Sequence, residues 1–164
     1  MAAHTAPILC RDDLDDVLLA GFAGAKRIAW DIETSGLDPT SDRIGTIQLH
    51  ADGVGTVIIQ VGDAPPKRAC ALLADTEIGK VFHHAMFDLR FMISHWNAKP
   101  CNVYCTKVAA KLLDSIGAQS HTLQSLLFQY LDIKINKEQR TTNWLAMQLT
   151  EGYSRGRPAG NEMC

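Results

Sequence analysis

The chain has 164 residues, which is enough for one domain with a sizeable hydrophobic core but not for two. Hydrophobic residues make up 46% and charged residues 21%, as in an ordinary soluble globular protein, and no apolar run is long enough to cross a bilayer. The N-terminus lacks the basic start and apolar stretch of a secretory signal, so we expect a cytoplasmic protein without membrane contact.

Charge is divided unevenly along the chain, although the net charge is only −2. Residues 1–98 carry 8 Lys and Arg against 13 Asp and Glu, whereas residues 99–164 carry 8 against 5. An acidic part beside a basic part would suit a carboxylate cluster facing a wall that binds phosphate. Ordinary surface charge explains the same distribution equally well.

The periodicity of the apolar residues predicts an α/β fold with a mixed sheet. Three consecutive extended stretches are separated by short turn sequences, which implies antiparallel neighbours. Helices and strands then alternate, a pattern compatible with an RNase H-like core. In chain order we predict helix 11–23 with an acidic first turn, strands 27–33, 43–50 and 54–61, helix 66–74, strand 79–83, helix 85–96, extended segment 101–104, and helices 106–114 and 122–131.

The composition changes after about residue 150. The segment that follows is rich in Gly, Pro and Arg and contains almost no apolar residues. We therefore predict one domain over residues 1–150 and a disordered tail over residues 151–164.

Five cysteines are scattered along the chain. Cys101 and Cys105 could be read as half of a zinc site, but a second pair at ligand spacing is missing. Small thiols in the core or at a helix entry are the favoured interpretation.

Two acidic residues interrupt an otherwise apolar predicted strand. Asp31 and Glu33 are two residues apart, so the strand period puts both on one face, with Trp30 and Ile32 on the other. Like charges this close repel each other and are stable as ions only with a cation between them, and oxygen ligands favour Mg²⁺ or Mn²⁺. The alternative is that Glu33 begins the following turn, exposed and inert, and an isolated Asp-x-Glu favours that alternative.

A third carboxylate, Asp88, lies within the apolar run of predicted helix 85–96. A carboxylate on a half-buried helix needs a partner, and Arg90 is unsuitable because residues two apart on a helix point in different directions. A metal ion shared with Asp31 and Glu33 would provide that partner. A surface aspartate on an amphipathic helix is the alternative.

The segments around these carboxylates carry a series of motifs. The first is D-I-E-T-S-G-L-D-P followed by R-I-G-T-I-Q-L, and the second is H-H-A-M-F-D-L. Y-C-T-K-V-A-A-K-L-L, H-T-L-Q-S-L-L-F-Q-Y-L and N-K-E-Q-R-T-T-N-W follow them. In order and spacing, this series resembles the ribonuclease D family of DEDD-type 3′–5′ exonucleases over residues 26–151. Within that family the chain most resembles the short stand-alone nano-RNase C type, whose members degrade very short RNAs.

The resemblance implies a metal-dependent nuclease that removes nucleoside 5′-monophosphates from the 3′ ends of RNA or other single-stranded nucleic acids. Asp31 would bridge two divalent cations, Mg²⁺ or Mn²⁺, Glu33 would hold the one that activates water, and Asp88 would hold the second. Stand-alone members tend to form homo-oligomers. By the same resemblance, the residues that contact the substrate would be Thr34, Leu37 as a wedge against the terminal base, Gln48, His84, Lys137, Gln139 and Thr142.

Two positions depart from the family pattern. His84 stands where the family usually has Asn, so a contact near the substrate would differ. The last motif, Tyr-x-x-x-Asp, is absent, because its expected positions hold Gly156 and Gly160, and Tyr153 is followed four residues later by Arg157. That motif would supply the fourth carboxylate and orient the attacking water, so its absence predicts a loss of several orders of magnitude in rate.

Three functional hypotheses follow. The first is a 3′–5′ exonuclease acting on short RNA or single-stranded ends. The second is a catalytically impaired or truncated relative that binds nucleic acid or an intact partner subunit. The change in composition after Thr150 is consistent with a truncated or frame-shifted C-terminus, or with a genuine terminus of a degenerate relative. The third, a generic RNase H-like binding module with incidental acidic residues, is disfavoured by the order of the motifs.

Overall fold

The computed structural model describes residues 6–114 and 120–135, which form six strands and five helices. The predicted tail and the boundary of the domain at residue 150 lie outside the described residues and stay predictions. The strands are β1 (Ile8–Arg11), β2 (Arg27–Thr34), β3 (Ile44–Ala51), β4 (Gly55–Gln60), β5 (Gly79–Phe82) and β6 (Val103–Cys105). The helices are α1 (Asp16–Ala23), α2 (Lys67–Ala74), α3 (Ala85–Trp96), α4 (Thr106–Leu113) and α5 (Leu123–Leu131).

The strands form one mixed sheet in the order β1-β4-β3-β2-β5-β6. Strands β2, β3 and β4 are antiparallel neighbours, because short turns join them. Strands β5 and β6 extend the sheet parallel to β2, and β1 extends it parallel to β4. The predicted α/β class and the three antiparallel strands are therefore confirmed, and the carboxyl ends of all strands except β3 lie at one edge.

The hydrophobic core covers one face of this sheet. Ile28, Trp30 and Ile32 alternate along β2 and are at most 4% exposed. They belong to the same buried cluster as Phe22 of α1 and Phe91 of α3, both 0% exposed. Because strand side chains alternate between the two faces of a sheet, the residues of β2 between these three project from the opposite face. Within the described residues, no helix has the length and apolar character needed to cross a membrane.

The prediction was wrong at the start of the chain. Helix α1 begins at Asp16, not at residue 11, and the unpredicted strand β1 ends at Arg11. Asp15 is the N-cap of α1, and its carboxylate accepts a hydrogen bond from the Leu18 N–H at 2.8 Å. The segment before α1 is an extended strand because it pairs with β4. Apolar periodicity within the segment does not predict such a long-range contact. The other elements begin and end within a residue or two of their predicted bounds.

The predicted acidic first turn of α1 is present at Asp16, but Asp13 of the preceding segment has a role that was not predicted, because it caps helix α2. Its Oδ2 accepts a hydrogen bond from the Arg68 N–H at 2.7 Å, and its Oδ1 accepts one from the Ala69 N–H at 3.1 Å. Pro66, the N-cap of α2, makes no side-chain cap hydrogen bond. Asp13 therefore satisfies donors at the start of α2 that its own cap residue leaves open.

We expect Asp13→Ala to lower the free energy of unfolding by about 1–3 kcal/mol, because two helix N–H groups lose a charged acceptor. Urea denaturation followed by circular dichroism measures this. The exposed Asp63 offers a matched control, and Asp63→Ala should change the value by less than about 0.5 kcal/mol. Equal losses in both variants would contradict the capping role of Asp13.

Candidate functional site

Strand β2 carries the first two carboxylates on the face opposite the core. Trp30 and Ile32 are 3% and 4% exposed, whereas Asp31 is exposed and Glu33 is half-buried. The shared face predicted for Asp31 and Glu33 is therefore confirmed. The register with β3 shifts between Glu33 and Thr34, so a β-bulge ends the regular pairing directly after the second carboxylate.

Strand β3 places an amide beside this pair. Gln48 lies opposite Asp31 in the register, and residues directly opposite each other project to the same face of the sheet. The Gln48 Nε2 donates a hydrogen bond to the Thr46 Oγ1 at 2.5 Å. Thr46 lies opposite Glu33 and is 0% exposed, so the amide is held next to the carboxylates by a buried neighbour.

Helix α3 brings the third carboxylate to the same strand. Asp88 is 2% exposed, and its Oδ1 accepts a hydrogen bond from the Ile32 N–H at 3.2 Å. That N–H belongs to the residue between Asp31 and Glu33. Arg90 turns elsewhere, as expected, since its Nη2 donates to the Leu37 carbonyl at 2.8 Å. The backbone of β2 is therefore one partner of Asp88, which the sequence argument did not identify.

The pKa values of all three carboxyls are raised. Burial raises the pKa of Asp88 to about 8, with the charges of Asp31 and Glu33 adding to it. Burial and then the charge of Asp31 raise the pKa of Glu33 to about 7. Asp31 reaches solvent, yet the surrounding protein removes enough of its hydration to raise its pKa to about 6. Three carboxyls that disfavour each other's ionisation would gain stability from a shared cation.

A cavity of about 800 Å³ opens on this face of the sheet. Its size lies within the range of ligand-binding clefts. Asp31, Glu33 and Gln48 line it, whereas the buried Asp88 is not part of its wall. Residues from the starts of α3, α4 and α5 also line it: His83, His84, Thr106, Lys107, Thr122, Leu123 and Gln124.

His84 lies in this cavity wall and caps α3 in the left-handed conformation, with a φ of 67°. Few side chains tolerate that conformation, and Asn, Asp and His adopt it most readily. The Asn usual at this position in the resembled family meets the same backbone requirement. His84 therefore preserves the backbone while presenting a larger, ionisable ring to the cavity.

Thr34 is the last residue of β2 and Leu37 lies in the turn that follows, and neither is part of the cavity wall. The Thr34 Oγ1 donates to the Gly36 carbonyl at 2.6 Å, so this hydroxyl stabilises the turn. Leu37 is 76% exposed, and Arg90 of α3 binds its carbonyl. The turn therefore presents an apolar side chain to solvent on a backbone that α3 anchors.

Three further predicted residues, Lys137, Gln139 and Thr142, lie outside the described residues. Sequence reasoning assigned no role to His83, Thr106 or Lys107, although all three line the cavity. The signals were present in the His-His pair that precedes α3 and in the Thr-Lys pair that begins α4. Hydroxyl and basic residues at two neighbouring helix starts are typical of anion-binding surfaces.

The carboxylates fit a divalent cation that keeps part of its hydration shell. In residues 6–114 and 120–135, no three His, Cys, Asp or Glu side chains converge as a ready-made metal cage. Mg²⁺ is commonly held by one or two protein carboxylates, water and substrate phosphates, so a complete cage is not needed. Asp31, Glu33 and Asp88 supply hard oxygen donors whose mutual repulsion such a cation would relieve.

Two curated ribonucleases D are similar to this chain in sequence. The enzyme of Desulfotalea psychrophila is 38% identical over 80 residues, which are 49% of this chain and 21% of that protein. The enzyme of Haemophilus influenzae is 29% identical over 127 residues, which are 76% of this chain and 31% of that protein. The chain therefore spans less than a third of the length of either relative.

Solved structures of a nuclease have the same fold. Brucella melitensis NrnC superposes with a TM-score of 0.80 at 30% identity, covering 92% of this chain and 74% of NrnC. NrnC with bound Mg²⁺ and NrnC bound to pGG each give a TM-score of 0.79. The 3′–5′ exonuclease family profile matches residues 6–155, which is most of the chain. The chain thus belongs to the 3′–5′ exonuclease family of phosphodiester hydrolases, in its ribonuclease D-like DEDD branch.

Proposed function

We propose that this chain is a metal-dependent 3′–5′ exonuclease that degrades short oligoribonucleotides and releases nucleoside 5′-monophosphates. The observation that carries the proposal is the set of three mutually repelling carboxyls, Asp31, Glu33 and Asp88. Two of them, Asp31 and Glu33, line a cavity whose wall also contains Lys107. Carboxylates would hold the metal, and the cationic Lys107 would attract the phosphates of the substrate.

Asp31, Glu33 and Asp88 would hold Mg²⁺ or Mn²⁺ in a two-metal site. When bound, the metal supplies an activated water and neutralises charge on the phosphodiester during in-line displacement. The protein positions the substrate around this centre: Gln48 offers its amide beside Asp31, and His84 and Lys107 add donors from the helix starts. Lys137, Gln139 and Thr142 would contact the phosphate backbone.

The proposed substrate is short RNA that has only one or a few nucleotides on the 5′ side of the bond to be cleaved. The cavity volume of about 800 Å³ is large enough for a ligand of dinucleotide size. NrnC, which shares the fold and 28% of the sequence, binds pGG. The proposed location is the cytoplasm.

The proposal is tested with a 5′-labelled di- or heptaribonucleotide, the purified chain, and Mg²⁺, Mn²⁺ or EDTA. We expect mononucleotides to be released one at a time from the 3′ end with either metal, and no release with EDTA. A substrate blocked by a 3′-phosphate should be cleaved more slowly. No release with either metal above the level of an Asp31→Asn variant would contradict the enzymatic proposal.

A catalytically impaired relative is the second candidate, because the sequence has no Tyr-x-x-x-Asp after Trp144. In that case the chain would bind a labelled oligoribonucleotide in a fluorescence anisotropy titration without cleaving it. Mixing with an intact family member would then test whether the chain acts as a partner subunit. Cleavage by the chain alone contradicts this candidate.

We also propose a homo-oligomer. Leu112 and Leu113 of α4 and Leu131 of α5 are 80%, 75% and 63% exposed in the described part of the chain. Large apolar side chains exposed to solvent favour association. Sedimentation equilibrium should give a mass above the 18.0 kDa of a single chain, and a monomer at all concentrations would contradict the proposal.

The exposed Leu37 provides a test of substrate contact that is separate from folding. If Leu37 packs against the terminal base, Leu37→Ala should raise KM about tenfold, because an aromatic–aliphatic contact of about 1–2 kcal/mol is lost. The melting temperature should stay the same, since the side chain is 76% exposed. Val17 of α1 is 80% exposed and does not line the cavity, so Val17→Ala should change neither KM nor stability.

A further inference from the structure

The hydrogen bonds around His83, a residue of the cavity wall, determine which of its two ring nitrogens carries the hydrogen. The Nδ1 of His83 lies 2.9 Å from the Oγ1 of Thr106, and the Thr106 hydroxyl lies 3.2 Å from the carbonyl oxygen of Phe82. A carbonyl accepts only, and a hydroxyl has a single hydrogen to donate. Both contacts are satisfied only if Thr106 donates to Phe82 and the Nδ1–H of His83 donates to Thr106.

This arrangement leaves the second ring nitrogen of His83 as an acceptor. Neutral histidine carries one N–H, so with the hydrogen on Nδ1 the Nε2 has a free lone pair. Within the described residues, Thr106 is the hydrogen-bond partner found for the His83 ring, and it uses Nδ1. Burial, together with the charges of Lys107 and His84, lowers the pKa of His83, which favours this neutral form.

The chemistry of RNA limits what a free acceptor in this cavity can bind. Phosphate oxygens accept hydrogen bonds and offer no donor to a neutral imidazole nitrogen. Base amino groups are donors, but uracil has a carbonyl oxygen where cytosine has its amino group. An acceptor directed at a base amino group would therefore not bind uridine. The ribose 2′-hydroxyl is a donor that every ribonucleotide carries and every deoxyribonucleotide lacks.

We propose that His83 is a specificity-determining residue of this cavity, whose Nε2 accepts a hydrogen bond from a ribose 2′-hydroxyl of the bound RNA. Thr106 is a positioning residue, because its hydroxyl holds the Nδ1–H tautomer and the orientation of the ring. The inference rests on the proposed function for the identity of the ligand as RNA. The tautomer itself rests on the two hydrogen bonds of the Thr106 hydroxyl, to His83 and to Phe82.

The tautomer is measured directly, without any substrate. A long-range ¹H–¹⁵N NMR spectrum of the free protein at pH 7.5 should show His83 protonated at Nδ1. In Thr106→Val, which replaces the hydroxyl by a methyl group, this preference should weaken, and Thr106→Ser should restore it. A His83 protonated at Nε2 in the wild type would overturn the inference, whether or not the chain proves to be an active nuclease.

Recognition of the sugar is measured by binding, so that it does not depend on turnover. Calorimetry in EDTA compares a diribonucleotide with analogues that carry 2′-fluorine at the first or the second sugar. In the wild type, one of the two analogues should bind about tenfold more weakly, the size expected for one lost hydrogen bond. In His83→Ala this ratio should fall to about one, and Thr106→Val should give an intermediate ratio that Thr106→Ser restores.

His95→Ala is the matched control. His95 is exposed on α3 and does not line this cavity, so this variant should keep the wild-type ratio. A ratio that stays tenfold in His83→Ala, or a loss that follows the base instead of the sugar, would overturn the inference. If the tenfold ratio disappears in His83→Ala, the inference is supported even if the wild type releases no mononucleotides. The absence of mononucleotide release would contradict only the exonuclease proposal.

Discussion

Replacing Asp31 by asparagine should lower kcat/KM for a short oligoribonucleotide by at least about 10³-fold, because the negative charge that would bind the metal is lost. Asn keeps the size and one oxygen of Asp31 but loses the negative charge. That charge acts on both other carboxyls, since it raises the pKa values of Glu33 and of Asp88. Removing it should therefore also weaken Mn²⁺ binding, measured by isothermal titration calorimetry.

The control for this prediction is Asp52→Asn. Asp52 is an exposed aspartate in the turn between β3 and β4, outside the cavity wall. It should keep the activity of the wild type within about twofold. If Asp31→Asn retains more than a tenth of the wild-type rate while remaining folded, the assignment of Asp31 to the metal site is wrong.

Asp88→Asn should stabilise the metal-free protein at pH 8.5 and abolish its activity. Because the folded-state pKa of Asp88 is raised from the usual 3.8 to about 8, its stabilising contribution is complete below pH 4 and is lost as the pH rises to 8. The metal-free wild type therefore carries a penalty of several kcal/mol at high pH, since each pKa unit corresponds to about 1.4 kcal/mol. Asparagine has no such penalty, and its side-chain oxygen still accepts from the Ile32 N–H.

Thermal unfolding in EDTA from pH 5 to pH 9 measures this effect. The melting temperature of the wild type should fall with pH relative to Asp88→Asn, with a gap of about 5–10 °C at pH 8.5. Mg²⁺ should raise the melting temperature of the wild type at pH 8.5 and have little effect on the variant, because a ligand stabilises only the form that binds it. Parallel pH profiles for the two proteins would show that Asp88 ionises normally.

Local features of the sequence predicted most of the fold. The alternation in Ile28, Trp30 and Ile32 predicted strand β2 and the shared face of Asp31 and Glu33, because a strand has a period of two and one face must be buried. The turn sequences between the first three predicted strands predicted their antiparallel pairing in the same way. The family assignment also came from the sequence, since it depends on the order of motifs along the chain.

The features that only the tertiary structure decided join residues far apart in the chain. The Asp88–Ile32 hydrogen bond spans 56 positions, the Asp13–Arg68 contact spans 55, and the His83–Thr106 contact spans 23. Strand β1 likewise forms only through its pairing with β4. Propensity and periodicity describe neighbours within one element, whereas these contacts depend on how elements pack. The sequence by itself therefore determined which carboxylates to consider and the strand face that carries two of them. Packing decided that the third carboxylate, Asp88, is buried against β2, and this burial raises its pKa. Packing also decided that Thr106 determines which ring nitrogen of His83 carries the hydrogen.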